Sequence, residues 1–129
     1  MRFEVSQEFY FDAAHTLERK IEAVGSRRVH GHTYHARAVV FGSPDPATGM
    51  VVDLGQLRQC LQAVREQLDH HLLDEVPGLG APTMENLCLF IARKLHETDF
   101  PVHAVEVWRQ AGGDRCRLEL STEDRLAGL

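Results

Sequence analysis

Apolar residues alternate along the first part of the chain. Phe3, Val5, Phe9, Phe11, Ala13 and His15 fall on one side of an extended backbone, and a period of two predicts a strand over residues 3–15. The polar stretch 18–29, with Gly25 and Ser26, predicts a loop. A second strand is expected from about His32 to Phe41, with Tyr34, Ala36, Ala38 and Val40 facing one way. The turn formers GSPDPATG, Gly42 to Gly49, end it.

The period then lengthens. Leu54, Leu57, Leu61, Val64 and Leu68 recur at spacings of three and four behind Asp53, a residue suited to cap a helix. The loop EVPGLGAP separates this helix from a second, capped by Thr83 and carrying apolar Met84, Leu87, Cys88, Ile91 and Leu95. Two short strands, about 102–109 and 115–121, close the chain around a hairpin at Ala111-Gly112-Gly113-Asp114. With no repeat or linker, the order ββααββ predicts one α+β domain over residues 1–129. Its architecture is a four-stranded antiparallel sheet with both helices on one face. Such a sheet has two open edges, and self-association is one way to cover them.

Composition removes several classes. A chain of 129 residues, 43% hydrophobic and 26% charged, is large enough for one core and ordinary for a folded protein. Its net charge of −5 and lack of a basic stripe give nucleic acid no electrostatic footing. The apolar runs are too short to span a bilayer. The segment MRFEVSQEFYF lacks the apolar core of a signal peptide, so the cytoplasm is the expected compartment. Cys60, Cys88 and Cys116 form no CxxC pair, and their odd number suggests no disulfide framework.

His30-Gly31-His32 is the first candidate for chemistry. Side chains two apart on a strand point the same way, so both imidazoles can reach one ion. His15 ends the first strand on its apolar face. Either feature alone is weak, since an HxH pair arises by chance and a lone histidine is usually structural. Together they place three ligands on adjoining strands and leave a fourth position open, the pattern of a catalytic zinc site. Asp69-His70-His71 directly follows the first helix. A carboxylate beside an imidazole suits general acid–base work, although a histidine there also complements the helix dipole. His35, His96 and His103 are expected to be structural or exposed, and Trp108 to be core. Arg27 and Arg28 could meet an anionic substrate, with plain surface charge the default.

Five stretches in order, FDAAH (11–15), VHGHTY (29–34), PATGMVVDLGQL (46–57), LDHHLLD (68–74) and PGLGAPTMEN (77–86), carry a resemblance. Together they resemble the 6-pyruvoyltetrahydropterin and 6-carboxytetrahydropterin synthase family. The match is closer to the bacterial 6-carboxytetrahydropterin synthase branch, which serves queuosine-type deazapurine biosynthesis. It covers nearly the whole chain and weakens after about residue 105. It implies the tunnelling fold, assembly into hexamers, and zinc on His15, His30 and His32. It further implies an acid–base pair of Asp69 and His70, pterin contacts from Thr83 and Glu85, and 7,8-dihydroneopterin triphosphate as substrate.

Two positions depart from that pattern. The family's catalytic cysteine, four residues before the first histidine of HGH, is Ser26 here. A hydroxyl is too weak an acid to supply a thiolate-like base near neutral pH. The family's pterin-anchoring glutamate aligns with Arg109, while Glu106 is expected on the opposite face of its strand. Arginine offers only donors, so it favours a carbonyl or anionic edge. Three expectations follow: a pterin-side-chain lyase of this family, a diverged zinc enzyme acting on a different heterocycle, or a metal-bound binding protein without chemistry.

Overall fold

The computed structural model describes residues 1–129. Strand β1 (Phe3–His15) runs antiparallel to β2 (His30–Gly42), with His15 opposite His30 and Ala13 opposite His32. Between them lies a short helix, α1 (Ala23–Arg27), in the stretch expected to be loop. Its N-cap, Glu22, has a left-handed backbone and no side-chain capping bond, so no local pattern announces the helix. Strand β2 starts two residues before the expected boundary because β1 pairs with it as far as His15.

Helix α2 (Leu54–Leu68) starts at Asp53, whose carboxylate accepts from the Gly55 and Gln56 amides. Helix α3 (Met84–Glu97) starts at Thr83, whose hydroxyl accepts from the Asn86 amide. Strands β3 (Val102–Arg109) and β4 (Asp114–Glu119) form the closing hairpin, which turns through Gly113 at φ 74°. Strand β4 stops two residues short of the expected end, and a last short helix, α4 (Thr122–Leu126), follows it. Ser121 and Asp124 form a capping box there.

The sheet is four-stranded, antiparallel and ordered β1-β2-β3-β4. Phe11, Tyr34, Ala36, Val105 and Val107 from its inner face pack with Leu57, Leu61, Leu87 and Ile91 of α2 and α3 in one core. Leu54, expected in that stripe, is exposed. Cys60 is only half-buried, its thiol 3.3 Å from the Thr98 hydroxyl, whereas Cys88 lies wholly within the core. Burial pushes the Cys88 thiol well above its ordinary range, so it stays protonated and unreactive.

The outer face is ionic around one carboxylate. Glu106 pairs with Arg37 at 2.8 Å and Arg117 at 3.1 Å. Arg115 lies over the Trp108 ring, which stacks on His35 with centroids 5.5 Å apart. Only residues 35–40 of β2 pair with β3. His30 to Thr33 therefore have β1 on one side and an open cleft on the other. No helix is long and apolar enough to cross a membrane.

Candidate metal centre and active site

An aromatic column leads out of the core into the site. Phe9 stacks on Phe11, and Phe11 stacks on Tyr34 with centroids 5.1 Å apart. The Tyr34 hydroxyl oxygen then lies 3.2 Å from His15 Nδ1. Burial pushes that hydroxyl up to about 12, so it remains neutral. His15 is buried at the end of β1.

The tautomers follow from the acceptors. His15 Nδ1 faces the Pro82 carbonyl at 2.9 Å, and His30 Nδ1 faces the Arg28 carbonyl at 2.7 Å. A carbonyl only accepts, so each Nδ1 carries the proton and each Nε2 keeps a bare lone pair. His32 Nε2 accepts from Arg109 Nη1 at 3.2 Å, so it carries no proton of its own. Both His30 Nε2 and His32 Nε2 lie 3.0 Å from His15 Nε2. Three acceptor lone pairs are thus packed together with no proton between them.

Protonation is a poor remedy. Burial lowers the His15 pKa, and burial followed by the Arg109 charge holds His32 down to about 4. A divalent cation is the remedy that fits: the donors of His15, His30 and His32 lie within 4.8 Å of one another. Tetrahedral zinc with nitrogen ligands about 2.0–2.1 Å away would hold them roughly 3.3–3.4 Å apart, close to the 3.0 Å from His15 Nε2 to each of the other two. The Pro82 and Arg28 carbonyls stand where acceptors that orient a metal-binding imidazole would be needed.

The second candidate group opens nearby. A depression of 510 Å³ is lined by His32, Thr33, Asp12 and His70, among others. His70 Nδ1 lies 2.9 Å from Asp69 Oδ2, and its ring is largely exposed. Asp69 is itself held by the Asp12 amide at 2.9 Å and by Arg65 at 3.3 Å. The Asp12 amide, then the His70 ring, hold the Asp69 carboxyl below the usual carboxylate range. The backbone of His70 is left-handed at φ 59°, and its amide donates to the Asp12 carbonyl at 2.6 Å.

The remaining candidates divide. Arg109 reaches the histidines from β3, with Asp114 on its Nη2 at 2.7 Å, and its buried Nε has no partner. Glu106 lies on the other face, as expected. Ser26 is buried, and its hydroxyl donates to the Ala23 carbonyl at 3.0 Å and accepts from the Arg19 amide at 3.3 Å. Both bonds stay within the loop that carries His30. Thr83 caps α3 and Glu85 is exposed; neither lines the clefts at the histidines. Their segment reaches the site through the neighbouring Pro82 carbonyl. Arg27 and Arg28 are exposed.

The sequence profile of the family described as 6-pyruvoyl tetrahydropterin synthase matches residues 4–118. The chain belongs to this family. It is 37% identical over 109 residues to the 6-carboxy-5,6,7,8-tetrahydropterin synthase of Synechocystis, covering 80% of this chain and 83% of that one. It is 34% identical over 102 residues to the human 6-pyruvoyl tetrahydrobiopterin synthase, covering 68% and 70%. Its fold is that of the Caenorhabditis elegans 6-pyruvoyl tetrahydropterin synthase, with a TM-score of 0.80, 22% identity and coverage of 94% and 97%. The protein is accordingly an enzyme of the pterin synthase family, with that family's α+β fold.

Proposed function

We propose that the protein is a zinc-dependent lyase of the 6-carboxytetrahydropterin synthase type, acting on the side chain of a dihydropterin such as 7,8-dihydroneopterin triphosphate. The observation that carries this reading is the convergence of three unprotonated Nε2 atoms on one point, beside an Asp–His pair. When bound, zinc supplies a Lewis acid that polarises side-chain oxygens and lowers the pKa of bound water. His15, His30 and His32 hold it. Asp69 fixes the Nδ1–H of His70, so His70 Nε2 is free to take a proton from the side chain and return it. Ser26 keeps the loop before His30 in place. Thr83 sets the start of α3, and with it the Pro82 carbonyl behind His15.

A second reading follows from Arg109. A glutamate at this position would accept from the donor edge of a pterin, whereas Arg109 brings donors, one of them already buried and unpartnered. This favours a heterocycle that presents an acceptor there. Product analysis after incubation with 7,8-dihydroneopterin triphosphate separates the readings. Release of triphosphate and acetaldehyde, lost in His70→Ala, supports the lyase on that substrate. Zinc-loaded protein that leaves it intact supports the changed ring.

We further propose a hexamer in the cytoplasm. The edge of β1 over residues 3–9 and the outer edge of β4 are unpaired, which favours association through the sheet. Sedimentation at micromolar concentration should show a species well above 14.5 kDa.

A further inference from the structure

Arg109 and a metal ion require the same lone pair. His32 Nε2, which faces His15 Nε2 at 3.0 Å, also accepts from Arg109 Nη1 at 3.2 Å. A ring-nitrogen lone pair serves one strong partner, a donated proton or a cation. Nor can the guanidinium simply swing away. Asp114 holds its Nη2 at 2.7 Å, and Arg109 and Asp114 face each other in the β3–β4 ladder. The Arg109 side chain is only 16% exposed.

Once a cation takes His32, Nη1 loses that acceptor, and Nε has none already. A permanent positive charge then faces a divalent one across a partly buried gap, where Coulomb repulsion is poorly screened. Asp114 offsets part of this charge, but at Nη2. The adjoining cleft measures 660 Å³ and is lined by His30, His32, Arg19 and Arg109, with Asp114 as its sole carboxylate. An anionic oxygen placed there would accept from the freed Nη1 and stand between the two cations.

We propose that Arg109 couples metal affinity to an oxyanion: guanidinium and metal contend for His32, which weakens the metal, and a carboxylate or phosphate oxygen bound between them lets both remain. This rests on the metal reading above and extends it to substrate class. The group presented beside the metal is an anionic oxygen, and metal and substrate bind with positive linkage.

Cobalt(II), whose visible absorption reports coordination directly, tests this in competition with a chelator. Wild type is compared with Arg109→Gln, Arg109→Lys and Asp114→Asn, each alone and with millimolar acetate or methylphosphonate. Arg109→Gln should bind cobalt about tenfold more tightly than wild type, a change of the size that groups around metal ligands produce. Asp114→Asn should bind it more weakly. Either anion should tighten binding to wild type and leave Arg109→Gln unchanged. Arg109→Lys keeps the charge without the planar fork, so it should gain less from the anions. A response to acetate alone assigns a carboxylate, and a response to methylphosphonate alone a phosphoryl group. Equal cobalt affinity in wild type and Arg109→Gln, with no response to anion, overturns the inference and leaves the metal centre standing. No cobalt in any of the proteins removes both.

Discussion

The Nδ1–H of His15 donates to the carbonyl of Pro82 at 2.9 Å, joining the end of β1 to the turn that starts α3. A backbone atom far along the chain therefore decides which nitrogen of His15 is bare. The position of the helix start and the donor strength of the site are coupled through this one bond.

Purified protein should carry about one zinc per chain, as a three-histidine site requires. His30→Ala should lose most of it, read by elemental analysis after gel filtration. His35→Ala should retain it, because His35 lies on the outer face against Trp108. Full metal content in His30→Ala would sink the assignment.

Two cap variants separate stability from metal binding. Thr83→Ala and Asp53→Ala should each cost about 1 kcal/mol in chemical denaturation. Only Thr83→Ala should also weaken zinc, because only that cap adjoins Pro82. Equal zinc affinity in the two variants would show that the Pro82 carbonyl does not matter.

Turnover of 7,8-dihydroneopterin triphosphate should be low compared with a cysteine-containing relative. Ser26→Cys alone should not restore it, because Arg109 would still set donors against the donor edge of the ring. An unpaired buried donor costs roughly 1–3 kcal/mol, enough to weaken binding about tenfold. Ser26→Cys with Arg109→Glu should exceed either single change in product formed. Efficient turnover by the wild type would return the chain to the ordinary synthase class.

Glu106 gives the fold a pH dependence away from the site. Burial alone would raise its pKa, but bonds and charge from Arg37, then Arg117, outweigh this and hold it low. A carboxyl lowered by folding stabilises the native state above its unfolded pKa of about 4.3, and the gain is lost as pH falls through the lowered folded value. Glu106→Gln should cost about 1–3 kcal/mol at neutral pH. Thermal unfolding across pH should show that gap closing in acid. A constant gap would mean the loss is one of packing.

The parts of this fold written in local chemistry were legible in the sequence. Alternation in β1, the threefold and fourfold spacing of α2, and the caps Asp53 and Thr83 act within a turn or two of themselves. The capping box of Ser121 and Asp124 was equally local, and it is the clue that could have revealed α4. Helix α1 offered no such clue, because it begins at a left-handed Glu22 without a side-chain cap. The three histidines could be read from strand parity. Their supports could not, since Pro82 and Arg28 contribute carbonyls, which every residue has. The contact between Arg109 and His32 depends on where β3 stops beside β2, a property of register rather than of either residue.

The left-handed backbone of His70 sets stability against the Asp69–His70 contact at a single residue. A side chain at φ 59° costs on the order of 1–2 kcal/mol relative to an ordinary conformation, and glycine escapes that cost. His70→Gly should therefore melt at a higher temperature while giving up the ring that Asp69 orients. Selection for heat resistance alone would drive the histidine out. A chain that keeps it gives up that margin of stability for the ring that Asp69 holds.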